Sequence, residues 1–179
     1  MKAIMISIKP EWVAKILNGK KTIEIRKSMP KCDLPIDVYI YCTKGKDLMF
    51  YNGSQYMVAY GTIKEKRNHK YNGKVVAKFT LNKVEKILEH ITNTYMSYCT
   101  NSLNCDEFFK KSCLTIDELE DYLNWNNGGY AWHISNLEIF DEPKELGEFR
   151  KYYRSKGYPQ NQSWYLTKAP QSWCYCEEL

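Results

Sequence analysis

Residues 3–27 read "AIMISIKPEWVAKILNGKKTIEIRK". Ile4, Ile6 and Ile8 fall on one side of a strict alternation, and Ala3, Met5, Ser7 and Lys9 on the other, which predicts a strand with one fully apolar side. Pro10 opens a helix where its missing N–H costs nothing, Trp12, Val13, Ile16 and Leu17 form the buried stripe, and Gly19 is the stop. A second strand over 21–27 places Ile23 and Ile25 on one face and Thr22, Glu24 and Arg26 on the other. Two strands thus carry polar residues on a common side. Alternation of Lys, Glu and Arg is what a solvent-facing β surface looks like; it is equally the pattern of a floor beneath a negatively charged ligand.

Further β-rich runs lie at 36–42, 56–64, 74–87, 130–140 and 172–178, separated by loops carrying Pro30, Pro35, Gly45, Gly53 and the "YNG" turn at 71–73. The stretch 88–127 interrupts them and reads as a helical insertion. Within it "LTIDELEDYL" starts with a capping box of Thr115 and Glu118, acidic residues fill the first turn, and Ile116, Leu119 and Leu123 make the apolar stripe. "EFRKYYRSK" (148–156) reads as a short basic helix and 157–170 as a loop. The pattern predicts an α+β, mostly β chain: a small, mostly antiparallel barrel with an N-terminal helix and a helical insertion.

The chain has 179 residues, enough for one sizeable core and short for two, so 1–179 is expected to be a single domain with the insertion at about 88–127. Hydrophobic residues make up 44% and charged residues 26%, which excludes a disordered chain. No apolar run reaches a membrane span and "MKAIMISIKP" lacks the features of a signal peptide, so the expected location is cytoplasmic, with no membrane partner. Seven cysteines without a C-x-x-C pair are expected as buried or half-buried thiols, and no metal or cofactor is expected. The net charge of +5 conceals an asymmetry: residues 1–86 hold 18 Lys+Arg against 7 Asp+Glu, net +11, and residues 87–179 hold 8 against 14, net −6. A basic field of that size makes a polyanion the leading class of partner.

The stretch "SIKPEWVAKILNGKKTIEIRK" resembles the start of an ASCH domain, with its G-x-K-x-x-E-x-R signature at Gly19, Lys21, Glu24 and Arg26. "GYAWHISNLEIFDEPKEL" and "APQSWCYCEEL" look like the closing strands of small ASCH proteins of bacterial and phage type. The resemblance implies a PUA-like fold and a role with RNA or a modified base.

The first functional reading is an RNA or modified-nucleobase binding module. Arg26 pairs with Glu24 or with a phosphate, Lys21 meets an anion where helix gives way to strand, and Ser7, Lys9, Lys20 and Thr22 supply polar neighbours. Trp132, His133, Lys168, Ser172 and Trp173 extend the expected ligand surface from the closing strands, as stacking faces, polar groups and a group that titrates near neutrality. Trp12 and Trp173 equally suit a core, and His133 a structural role.

The second reading is a hydrolase acting on a modified nucleoside or RNA, with Lys21 and Glu24 as the catalytic pair. One ASCH branch resembles N4-acetylcytidine amidohydrolases, which use a Lys, a Thr and a Glu; here Lys21 matches, Glu24 stands at the threonine position, and the family's glutamate falls near Ser112. A third reading makes the acidic insertion a protein-docking surface, or its helix a lid or plug.

Overall fold

The computed structural model describes residues 1–61, 70–91, 96–124, 128–152 and 164–179, and these form two compact units. Unit 1 comprises Met1–Asn18, Ile36–Thr80 and Asn136–Leu179; unit 2 comprises Gly19–Pro35 and Leu81–Ser135. Two long strands, β6 (Val75–Lys86) and β9 (Tyr130–Lys144), run through both.

In unit 1, β1 (Lys2–Ile8) lies between β10 (Trp173–Glu177), which it pairs antiparallel, and β3 (Ile36–Cys42), which it pairs in parallel. The order is β10-β1-β3-β6-β9, so the strand order is open, not closed into a barrel, and one central pairing is parallel. The parallel pair follows from the long connection between β1 and β3, which carries α1 (Pro10–Leu17) and β2 (Ile23–Arg26). Ala3 and Met5 join Tyr39, Tyr41, Val75, Phe149, Leu166 and Cys176 in one core, while Ile4, Ile6 and Ile8 are also buried. Both faces of β1 are therefore covered, where alternation with Ser7 and Lys9 had predicted one apolar face.

Helix α1 has Pro10 at its first position and buries Val13, Ala14, Ile16 and Leu17. Trp12 is only half-buried, with the Lys15 ammonium 4.1 Å from its ring centroid, so the apolar stripe is shifted onto Ala14. At the helix end the Asn18 amide imitates a backbone strand: Nδ2 donates to Tyr56 O at 2.8 Å and Oδ1 accepts from Tyr56 N at 2.9 Å. This fastens the hairpin of β4 (Leu48–Tyr51) and β5 (Tyr56–Ala59) to α1. The expected basic helix at 148–156 is absent from its described part. A single 3-10 turn covers Leu146–Glu148, Phe149 is extended, and Arg150 and Lys151 bridge to Tyr165 and Cys176. Burial of Phe149 against Tyr39, with ring centroids 4.8 Å apart, overrides the helical spacing; Tyr153 and Arg154 lie outside the described residues.

In unit 2 the order is β6-β9-β2. The segment expected as a helical insertion begins with a hairpin, β7 (Leu88–Ile91) and β8 (Met96–Cys99), followed by α2 (Cys105–Ser112) and α3 (Ile116–Leu123). Both helices start in complete capping boxes, Asn104 with Glu107 and Thr115 with Glu118. Phe108, Leu119 and Leu123 pack with Ile23, Ile25, Ile87, Tyr98, Leu103 and Ala131. The helix once weighed as a lid or docking face thus contributes its apolar stripe to the core of this unit, although Ile116 stays exposed. No helix among the described residues is long and apolar enough to cross a membrane.

Candidate functional site

The chain leaves α1 through Gly19, whose φ of +69° is the left-handed conformation that turns it toward β2. Residues 20–22 are then clamped by the end of α2. Thr22 N donates to Lys111 O at 2.9 Å, Cys113 Sγ donates to Lys20 O at 3.3 Å, and Thr22 O accepts from Ile134 N at 2.9 Å. These ties bring the Lys21 ammonium under the C-terminal carbonyls of α2, which have no partner within the helix, and it donates to Ser112 O at 2.6 Å.

Lys21 also meets the strand. Its Nζ lies 3.3 Å from Glu24 Oε2, and the other carboxylate oxygen, Oε1, lies 3.0 Å from Arg26 Nη2. Glu24 and Arg26 are two residues apart on one strand, and therefore neighbours on one face. Lys21 is 2%, Glu24 7% and Arg26 6% exposed, so this is not a solvent-facing β surface. Burial lowers the Lys21 pKa, partly offset by the Coulomb attraction and hydrogen bond of Glu24. With Lys21 protonated the three groups carry one net positive charge away from water, where a charge acts more strongly than on the surface.

Tyr122, from the last turn of α3, feels the charges of this cluster: burial raises its phenol pKa, Arg26 opposes the rise and Glu24 adds to it. It is 37% exposed, and Lys27 Nζ stands 5.5 Å from its ring centroid. Sequence reasoning missed this residue because its nearness to the cluster depends on the placement of α3. Trp132, opposite Glu24 in the strand pairing, is fully buried and its indole N–H donates to Ser28 O at 3.3 Å. It walls the cluster from within and offers no exposed stacking face. Lys20 and Thr22 are exposed.

His133 pairs with Ile23, one position along from the Trp132–Glu24 pair, so it faces the opposite side of the sheet. Its Nε2 lies 2.7 Å from Glu85 Oε2. Glu85 also accepts from Ser102 Oγ at 2.6 Å, Ser102 N at 3.1 Å and Thr100 Oγ1 at 3.2 Å, and pairs with Lys83 Nζ at 3.2 Å. Burial would raise the Glu85 pKa; hydrogen bonds from Ser102, Lys83 and His133 outweigh it and bring it down to about 2. His133 is itself pushed below its ordinary value by burial, with Glu85 opposing. Glu85 had a legible signal: with alternation it shares a face with Leu81 of β6 and with Ile87 just beyond the strand, both core residues.

The remaining expected site residues belong to unit 1. Ser7 is buried, its Oγ donating to Pro170 O at 2.7 Å and its N–H to Ser172 O at 2.9 Å. Trp173 is half-buried with its ring edge-on to Tyr175 at 5.4 Å, and Lys9 and Lys168 are exposed. All seven cysteines are free thiols, and no group of three or more metal-ligating side chains occurs among the described residues.

The chain is thus an open, mostly stranded α+β fold with a buried G-x-K-x-x-E-x-R cluster. The ASCH domain family model matches residues 6–169, and the chain belongs to that family. Among solved structures it is similar to the ASCH protein of Zymomonas mobilis, with a TM-score of 0.55 and 18% identity over 97% of this chain and 86% of that one. A tyrosine-to-phenylalanine mutant of the same protein gives a TM-score of 0.56 and 18% identity, covering 98% of this chain and 90% of that one. At such identity the likeness concerns the fold. No curated protein matches the chain.

Proposed function

We propose that the protein is a binding module for RNA or a modified nucleobase, with Lys21, Glu24 and Arg26 as its recognition centre. Membership of the ASCH family supports nucleic acid as the class of partner, and one observation supports the placement: the three charged residues of the motif are buried together with a net positive charge. A desolvated cation pair attracts a phosphate or a base carbonyl more strongly than the same groups in water. Tyr122, exposed and with the Lys27 ammonium 5.5 Å from its ring centroid, supplies the aromatic face against which a base stacks. The long-range field comes from elsewhere, since unit 2 holds 9 Lys+Arg against 10 Asp+Glu and unit 1 holds 17 against 11. We take residues 1–179 as one ASCH domain acting in the cytoplasm.

The test is retention and conversion of a panel of short single-stranded RNAs and modified nucleosides, measured at two salt concentrations with the parent and with Lys21→Met, Arg26→Lys and Tyr122→Ala. Salt-sensitive retention without product, weakened in folded variants, is the expected result. Unchanged retention in all three variants rejects the reading.

A second reading, hydrolysis of a modified nucleoside or RNA by Lys21 and Glu24, is favoured by the lowered pKa of Lys21, which moves the amine toward the neutral form that acts as base or nucleophile. Against it, the group that meets Lys21 from the end of α2 is the Ser112 backbone carbonyl, and Glu24 stands where the amidohydrolase branch is expected to have a threonine. Product formation abolished by Lys21→Arg would replace the binding reading with this one.

A further inference from the structure

The end of the β4–β5 hairpin in unit 1 gathers three tyrosines. Tyr51 and Tyr56 are directly opposite in the strand pairing, with ring centroids 5.0 Å apart. Tyr71, from the turn at 71–73, meets Tyr56 edge-on at 5.6 Å. Tyr51 is 48% exposed, and Tyr56 and Tyr71 are half-buried. Three asparagine side chains fix the backbone that carries these rings. The Asn18 amide holds Tyr56 N and O. In the loop between the strands, Asn52 Oδ1 accepts from Ser54 N at 3.0 Å and Gln55 N at 2.9 Å. Asn72 joins the turn to β4, its Oδ1 accepting from Met49 N at 3.0 Å and its Nδ2 donating to Asp47 O at 2.8 Å. A ligand that stacks here therefore has little backbone left to order. Cations flank the group. Lys70 Nζ stands 5.9 Å from the Tyr71 ring centroid, and its pairing with Glu142 at 3.3 Å is exposed and weak. The Lys44 side chain lies along Gly73: a Cβ there would stand 2.7 Å from its Cε and 3.0 Å from its Cγ, so this lysine ends at the same turn.

We propose that Tyr51, Tyr56 and Tyr71 form a stacking platform for unpaired bases of a single-stranded nucleic acid, with the Lys44 and Lys70 ammonium groups meeting its phosphates. Such a strand asks for aromatic faces set among cations, because every base has a face that stacks and the backbone is bound through its charge. Residues 43–60 and 70–74 carry Lys44, Lys46, Lys70 and Lys74 against the single acid Asp47. Glu145 pairs with Lys74 at 2.8 Å and leaves Lys44 and Lys70 beside the rings. This charge favours a polyanion over an apolar protein segment, which would gain nothing from the lysines. Tyr51 offers the most open ring, and Tyr56 is the support that both other rings meet. The inference rests on nucleic acid as the class of partner, proposed above, and not on the Lys21 cluster, whose residues belong to unit 2.

The experiment is fluorescence anisotropy of the full chain with a labelled oligouridine and with an abasic strand of the same length and charge. The parent is expected to bind oligouridine more tightly. Tyr51→Leu and Tyr71→Leu keep apolar bulk and remove the ring; each is expected to weaken oligouridine binding roughly tenfold and to leave the abasic strand unchanged. Tyr51→Trp keeps a ring and is expected to keep the preference. Lys44→Gln and Lys70→Gln are expected to weaken both strands alike and to lower the salt dependence. Loss of the preference in the two leucine variants but not in Lys21→Met and Arg26→Lys upholds the platform and rejects the recognition centre proposed above. The reverse pattern upholds that centre and overturns the platform. Equal binding of the two strands by the parent, or a preference that survives both leucine substitutions in folded protein, overturns the proposal. So does a failure to bind either strand, which would make a protein the class of partner that this face fits.

Discussion

Glu24 is held from both sides: one carboxylate oxygen lies 3.3 Å from Lys21 Nζ and the other 3.0 Å from Arg26 Nη2. The carboxylate is what permits two cations to share a buried site. Glu24→Gln leaves them facing each other with no counter-charge, and a cost of about 3–5 kcal/mol is expected in urea denaturation. Lys21→Met should cost less, because Glu24 keeps Arg26 and one desolvated ammonium disappears. A smaller loss for Glu24→Gln than for Lys21→Met would contradict this account of the cluster.

Lys21 also leaves a mark on stability at alkaline pH. Burial holds its folded pKa below the reference value of 10.5. Between the folded value and 10.5 the unfolded chain binds more protons than the folded one, so this residue makes stability rise with pH across that window. Tyr122, whose pKa is raised, acts in the opposite sense above 10.0. The stability of the parent minus that of Lys21→Met isolates the lysine, and the difference is expected to increase with pH. A flat difference would mean that Lys21 is as well solvated as a surface lysine.

Glu85 works at the acid end. Its folded pKa of about 2 lies below the reference of 4.5, so its contribution is complete above 4.5 and lost as pH falls toward 2. The gap corresponds to roughly 3 kcal/mol. Glu85→Gln is expected to lower stability at pH 6 by that order and to flatten its dependence between pH 5 and pH 3. An unchanged slope, measured by urea denaturation at a series of pH values, would remove Glu85 as an acid-sensitive tie between β6, the loop after β8 and His133.

The elements legible in the sequence were those whose pattern and burial agree. Pro10 and Gly19 bracket α1, and Ile36–Cys42 and Val75–Lys86 alternate or run apolar as buried strands do. The juxtaposition of Glu24 and Arg26 followed from strand period alone. The contacts of Lys21 were not legible, because Ser112 O is 91 residues away along the chain and reaches it only through the end of α2. The strand β7 was not legible because Leu88, Glu89, His90 and Ile91 put one apolar and one polar residue on each face, unlike the equally short β2. Helix α2 did carry a signal in "NCDE", where Asn104 and Glu107 have capping-box spacing, but two aromatics and three basic or thiol side chains blur its apolar stripe. The helical spacing of Phe149, Tyr152 and Tyr153 suggested a basic helix that the described residues 148–152 do not form; there the tertiary packing of Phe149 took precedence.

Because α2 delivers Lys111 O to the Thr22 amide and Ser112 O to the Lys21 ammonium, its stability should control access to the cluster. Phe108 anchors the helix: it is fully buried, and its ring meets Phe109 edge-on at 5.2 Å. Phe108→Ala is expected to cost about 3–5 kcal/mol. Asn104→Ala removes the cap and should cost about 1 kcal/mol. Both should speed reductive methylation of Lys21, the first more than the second, since a frayed α2 withdraws the Ser112 carbonyl and admits water to the amine. Thr115→Ala loosens α3 by a similar ~1 kcal/mol but leaves the end of α2 in place, so it should lower stability with little change at Lys21. Equal acceleration in all three variants would show that global opening, and not the end of α2, guards the lysine.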